Sequence, residues 1–231
     1  MTRARAILRW SAERSLPSVV AASTLAALVF LIGPRLAGAR PVHAFLLWNL
    51  LLAWVPLLAA LALDASERSH HRVLGGFSLL VWLLFLPNAP YLVSDLAHIS
   101  WQSTTPWLDL ARFVAFAWAG CLLGIAALRV VHGVVAARAG TFAGWVVIVG
   151  GAAASGIGVA LGRFGRLNSW EVLTRPVFVA DETMRLSSDR QALAVAAFFT
   201  LLVLVMYIGM GGTRPAAADR STRAHRRSET V

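Results

Sequence analysis

Acidic and histidine side chains cluster after one apolar stretch of the sequence. Asp95 and His98 are three residues apart, so on a helix they share a face and could bind a metal or act as an acid/base pair. Zn²⁺ or Mg²⁺ would need at least a third ligand, for which Asp109 and Glu171 are the candidates. In the competing interpretation Asp95 caps a helix and Asp109 pairs with Arg112 one turn on. These four residues are the candidate catalytic groups, and no metal or other cofactor is assigned.

A second polar stretch begins where a later apolar segment ends. Arg163 and Arg166 are three residues apart at the expected depth of lipid head groups, where paired arginines could grip a phosphate. They could equally neutralise the acids of the first stretch, and we favour such an arginine–carboxylate network. Asn168 and Glu171 have the spacing of a capping box, so they could form a helix cap only. The candidate binding residues of this stretch are Arg163, Arg166, Asn168 and Trp170.

The first stretch follows a break in an apolar segment. Pro87 and Pro90 remove two backbone donors, so helix carbonyls lose their partners where water is scarce. Those carbonyls, together with Asn88, then need other partners. Because such a break is costly, we predict a site there and take Asn88 and Tyr91 as further candidate binding residues.

The composition is that of an integral membrane protein. The chain has 231 residues, of which 58% are hydrophobic and 14% charged, and its mean hydropathy is +0.69. Its 21 basic residues are all arginines, placed in short segments between apolar spans rather than on a polar domain that could read a nucleic acid. The single Cys121 excludes an internal disulfide. The sequence contains no nucleophile elbow, phosphate-binding loop or metalloprotease motif.

Six apolar segments predict an all-α bundle of six transmembrane helices. The third is too short to span before Pro87, so we predict that it continues past Pro90 as a kinked helix or stops and re-enters. Three regions follow: a basic N-terminus at 1–16, the membrane domain at 17–210 and an arginine-rich, disordered tail at 211–231. A cleaved signal peptide ending near 37–39 is the alternative for the first span. The expected spans are about 16–32, 42–63, 73–93, 107–131, 141–161 and 191–210.

The arginine distribution predicts the orientation. With both termini in the cytoplasm, the cytoplasmic segments hold thirteen arginines and the outer connections seven. We therefore expect a multi-pass protein of the bacterial plasma membrane. The connections after the third and fifth spans lie on the same side in either orientation, so the two polar stretches should meet at one membrane surface.

Small residues recur along the fifth span and could mediate close helix packing. Gly150, Ala154, Gly158 and Gly162 fall at every fourth position. This stripe could hold a protein partner or a second copy of the chain, or it could serve packing within the chain alone. Gly120 and Gly124 on the fourth span are its expected counterpart.

Three motifs resemble an uncharacterised family of bacterial multi-pass membrane proteins, domain of unknown function 1361. The resemblance extends from about His43 to Tyr207 and implies no established activity. Ser94 and Glu171 stand where the family more often has Thr and Asp, and the longer acid at 171 would weaken a strict metal geometry. The motifs are Phe85-Leu86-Pro87-Asn88-Ala89-Pro90-Tyr91-Leu92-Val93-Ser94-Asp95-Leu96 with His98, Trp107-Leu108-Asp109-Leu110 and Gly162-Arg163-Phe164-Gly165-Arg166-Leu167-Asn168-Ser169-Trp170-Glu171.

Three functions fit these features. The first is a site at the outer surface that binds or modifies an anionic lipid or a lipid-linked head group, with Arg163 and Arg166 on the phosphate. The second is a non-enzymatic membrane scaffold or assembly subunit. The third is a small transporter, which the scarcity of polar residues inside the spans disfavours, Asn49 being the exception.

Overall fold

The computed structural model describes residues 15–36 and 43–210, and within them it contains helices and no strand. The predicted basic N-terminus up to residue 14, the possible cleavage site at 37–39 and the tail lie outside the described residues. A 3₁₀ helix spans Asp95–His98. The helices are α1 Leu16–Leu36, α2 Phe45–Arg68, α3 Arg72–Phe85, α4 Asn88–Ser94, α5 Pro106–Phe164, α6 Glu171–Thr174, α7 Pro176–Leu186 and α8 Arg190–Gly209.

Five helical segments are long and apolar enough to cross a membrane. They are Leu16–Arg35, Phe45–Arg68, Arg72–His98, Pro106–Phe164 and Arg190–Gly209. The prediction of an all-helical, multi-pass membrane protein is therefore confirmed, and each predicted span falls within one of these segments to within a few residues.

The longest helix, α5, folds back on itself. Its 59 residues would extend about 90 Å if straight. Gly140, however, has a φ of 89° that no helix contains, and the ring of Trp145 lies 5.3 Å from that of His132. We call residues 106–139 and 141–164 the first and second arms of α5. Residues 132–139, which lie between the predicted fourth and fifth spans, are helical, and Gly140 is where the backbone leaves the helical conformation.

The proline segment, by which we mean residues 86–91, interrupts the ladder of helical hydrogen bonds as predicted. Helix α3 ends at Phe85 and α4 begins at Asn88. The backbone N–H of Ala89 donates to Leu86 O over 3.1 Å, so Phe85 O loses its ordinary helical donor. The Asn88 side chain replaces it, since Nδ2 donates to Phe85 O over 3.0 Å. A kink stays a prediction, because the backbone of Leu86 and Pro87 keeps helical angles.

Two glycines of the first arm pack against the proline segment. A methyl group at Gly120 would collide with the carbonyl oxygen of Ala89, and one at Gly124 would lie 3.1 Å from the Ala89 side chain. These two glycines therefore let α4 approach the first arm closely, as small residues do in membrane bundles. The predicted pairing of Gly120 and Gly124 with the small-residue stripe is not their closest contact.

The small-residue stripe of the second arm contacts the same segment from the other side. A methyl group at Gly158 would collide with the ring of Pro87, and one at Gly162 would lie 2.8 Å from Tyr91 Cε2. Gly150, by contrast, has open space in place of a side chain. Gly158 and Gly162 of the stripe thus serve packing within the chain. The proline segment packs between the two arms of α5.

Candidate functional site

A buried carboxylate joins three segments of the chain. Asp95 is 1% exposed, and its Oδ2 accepts a hydrogen bond of 2.8 Å from Asn49 Nδ2 on α2. Its Oδ1 lies 3.4 Å from Arg163 Nη2 at the end of α5, and the same nitrogen donates to the backbone oxygen of Ser94. The Arg163 guanidinium also lies over the Tyr91 ring, 5.2 Å from its centre. The predicted arginine–carboxylate contact between the two polar stretches is therefore present.

His98 lies at the edge of this network. Its Nδ1 is 4.0 Å from Asp95 Oδ1 and 3.5 Å from Arg163 Nη2, and its ring stacks 6.4 Å from that of Phe113. The Asp95 and His98 side chains thus do face each other, as their spacing predicts. Within residues 15–36 and 43–210, however, no group of three His, Cys, Asp or Glu side chains converges. Neither Asp109 nor Glu171 therefore joins Asp95 and His98 as the third ligand that a metal would need.

Asp109 belongs to a separate buried cluster. Arg112 Nη1 donates to Asp109 Oδ1 over 3.1 Å, and both side chains are almost fully buried. Ser103 Oγ donates to Asp109 Oδ2 over 2.6 Å, and His43 Nδ1 lies 3.4 Å from Arg112 Nη1. Burial is the main cause that lowers the pKa of His43 from its ordinary 6.5. Asp109 therefore pairs with Arg112, one helical turn further along the chain, as the competing interpretation of the sequence predicts.

The second polar stretch turns back from the end of α5. Arg166 adopts the left-handed backbone conformation, with φ of 54°. Glu171 Oε2 then accepts from the backbone N–H of Asn168 over 2.7 Å and from its Nδ2 over 3.2 Å. Asn88 Nδ2 donates to Ser169 Oγ over 2.8 Å, which ties this turn to the proline segment. Glu171 therefore reaches back to Asn168, as the capping-box spacing predicts. The other half of the prediction is wrong, because the N-cap of α6 is Trp170 and no side chain caps this helix.

A cavity of about 500 Å³ opens between these segments. Its volume lies within the range of small-molecule sites. Side chains of α2, α3 and the second arm line an apolar part, including Trp48, Leu83 and Ile157, which are 55%, 41% and 48% exposed on the outside of the bundle. The apolar part therefore reaches the apolar outer surface of the bundle. The polar part is lined by Asn49, Asn88, Tyr91, Arg166, Asn168 and Ser169.

Residues 48–206 match the family model described as protein of unknown function (DUF1361). The chain belongs to this family. The DUF1361 match includes every residue that lines the cavity, from Trp48 to Val179, whereas His43 lies outside it. Comparison of the chain with curated proteins and with solved structures gives no significant match.

The DUF1361 motifs contribute unequally to the cavity. Of the candidate binding residues, Asn88, Tyr91, Arg166 and Asn168 line it, whereas Arg163 and Trp170 do not. Of the candidate catalytic residues, Asp95, His98, Asp109 and Glu171, none lines it. Asp95 and Glu171 instead accept hydrogen bonds from two of the lining residues, Asn49 and Asn168 respectively.

Two polar lining residues were missed as site residues. Asn49 is an amide within an apolar span, where it needs a hydrogen-bonding partner, and that need is the signal that could have identified it. Ser169 lies between two candidate residues and gave no signal of its own.

Proposed function

We propose that this cavity binds the head group and the adjoining chain segment of an anionic lipid or lipid-linked molecule. The observation that carries the proposal is that one continuous cavity has an apolar part reaching the outer surface of the helical bundle and a polar part containing an arginine. An amphiphile can enter sideways from the bilayer, keep its chain against Leu83 and Ile157 and place its head group near Arg166. A fully polar solute would leave the apolar lining unused.

Arg166 is the residue that selects a negative charge. Its side chain is exposed, and among the described residues it has no acidic partner. Arg163 is paired with Asp95 and lies outside the cavity lining. We therefore assign the phosphate to Arg166 alone and not to both arginines. A guanidinium without a carboxylate partner favours a phosphate through charge-assisted hydrogen bonds.

The proposed membrane arrangement places the polar part at the outer surface. The two arms of α5 cross separately, which gives six spans with both termini in the cytoplasm of a bacterial plasma membrane. The arginine excess of the inner segments supports this orientation. The contact between Arg163 and Asp95 supports one common surface for the connections after the third and fifth spans.

Binding, rather than acid–base chemistry by the lining, is what the cavity supports best. The side chains that line it among the described residues include no Asp, Glu, His or Cys. The side chains of its polar part are three amides, a phenol, a hydroxyl and a guanidinium, which are suited to orienting a head group.

The test is a lipid titration of the purified protein in neutral detergent, followed by native mass spectrometry. We expect phosphatidylglycerol to bind more tightly than phosphatidylcholine, and Arg166→Gln to weaken phosphatidylglycerol binding about tenfold or more, as loss of a charge-assisted hydrogen bond would. Arg190→Gln is the matched control, because Arg190 is exposed at the start of α8 and does not line the cavity. Equal affinities of the two variants would refute the proposal.

A further inference from the structure

The three lining asparagines share an orientation that their partners fix. Asn49 Nδ2 donates to the Asp95 carboxylate over 2.8 Å, and Asn88 Nδ2 donates to the backbone oxygen of Phe85 over 3.0 Å. Carboxylate and carbonyl oxygens only accept hydrogen bonds, so each amide must direct its NH₂ group towards that partner. The amide oxygen of each residue is then left on the other side of the group.

Asn168 follows the same rule. Its Nδ2 donates to Glu171 Oε2 over 3.2 Å, and Glu171 is again an acceptor only. Among the described residues, no donor reaches the amide oxygen of Asn49, Asn88 or Asn168. Asn49 and Asn88 are half-buried, yet neither oxygen is among the fully buried atoms without a partner, so both oxygens keep accessible surface, and both residues line the cavity.

The polar part of the cavity therefore offers three amide oxygens, which only accept, and one cation, beside the hydroxyls of Tyr91 and Ser169. Asn88 uses both N–H groups of its amide within the protein, and Asn49 and Asn168 each use one, while the guanidinium of Arg166 is the positive charge available to a phosphate. A phosphate has only acceptor oxygens once ionised, so it cannot satisfy the amide oxygens. Hydroxyl groups can, because each carries one O–H donor.

We infer that the ligand is a lipid whose phosphodiester carries a hydroxylated head group, such as a polyol or a sugar. Arg166 takes the phosphate, and the head-group hydroxyls donate to the amide oxygens of Asn49, Asn88 and Asn168. This inference rests on the proposed function and adds the chemical class of the head group. An ammonium head group would also donate, but it would lie beside the guanidinium of Arg166 and be repelled by it.

The first test uses the unmodified protein and two lipids of equal charge. Phosphatidylglycerol and phosphatidylmethanol with the same acyl chains both carry one phosphodiester, but only the former has hydroxyls. We expect phosphatidylglycerol to bind at least about fivefold more tightly, as two neutral hydrogen bonds would give. If both bind equally and Arg166→Gln weakens both, the proposed function stands and the inference is overturned. If neither binds, the proposed function fails as well.

The second test removes one amide oxygen. Asn168→Ala keeps the backbone hydrogen bond to Glu171, so the turn stays anchored. We expect it to weaken phosphatidylglycerol binding about two- to tenfold and to leave phosphatidylmethanol binding unchanged. Gln191→Ala is the control, since it removes an exposed amide at the start of α8 outside the cavity. Equal weakening of both lipids by Asn168→Ala would overturn the inference, as would no weakening of either.

Discussion

Removing Arg163 should destabilise the protein far more than removing an arginine from a surface pair. In the variant Arg163→Gln, the Asp95 carboxylate stays buried at 1% exposure and keeps only the Asn49 hydrogen bond. Breaking a buried ion pair from one side costs about 3–5 kcal/mol. Arg163 is itself 20% exposed, so we expect the lower end, a loss of about 3 kcal/mol in the free energy of unfolding.

Removing the acid instead should cost less. In Asp95→Asn, Arg163 keeps its contacts with the Ser94 backbone oxygen and the Tyr91 ring and is still in reach of solvent, so the expected loss is about 1 kcal/mol. In the double variant no buried charge is left alone. We therefore expect its loss to be about 2 kcal/mol or more below the sum of the single losses.

The assay is unfolding by sodium dodecyl sulfate in mixed micelles, followed by tryptophan fluorescence. Arg175→Gln is the control, because its pair with Glu171 spans 3.8 Å and Arg175 is 68% exposed. Such a surface pair contributes little, so the control should lose less than about 1 kcal/mol. Equal losses for Arg163→Gln and Arg175→Gln, or additive losses in the double variant, would refute the buried-pair reasoning.

Two further perturbations test the packing of Gly158 and the cluster of His43, Asp109 and Arg112. Gly158→Ala should lower the free energy of unfolding by about 1–3 kcal/mol, because the new methyl group meets the rigid ring of Pro87. Gly150→Ala is the control, since it has open space and should be neutral or stabilising; similar losses for both variants in the same unfolding assay would contradict this. Burial lowers the pKa of His43, so below about pH 6.5 the unfolded chain binds more protons than the folded protein, and the free energy of unfolding should fall as the pH drops. His43→Asn should flatten that dependence between pH 5 and 7.

The spans could be predicted because their signal is local. A run of apolar residues long enough to cross a bilayer is visible without any tertiary contact, and the helix bounds agree with that pattern. The hairpin of α5 could be predicted only in part. The sequence shows two apolar segments, but it does not show the tertiary contact of His132 with Trp145 on the other arm, or that residues 132–139 stay helical.

The meeting of the two polar stretches could also be predicted, because counting spans places both connections on one side. Which residues face the cavity could not. Asp95 is the most conspicuous acid of its stretch, yet it lies behind Asn49, and this depends on how α2 packs against the 3₁₀ helix. Spacing along one segment cannot reveal a partner 46 residues away.

The charges around the cavity explain why its acids are found behind the lining. Asp95 is balanced by Arg163 and Glu171 by Arg175, while Asn49 and Asn168 lie between those acids and the cavity. Each acid thus fixes an amide without exposing its negative charge to the ligand. Arg166 is left as the unbalanced charge of the lining among the described residues. The same carboxylates would repel an anionic head group if they faced the cavity, so an anion-binding site can use them only through a neutral group placed in front.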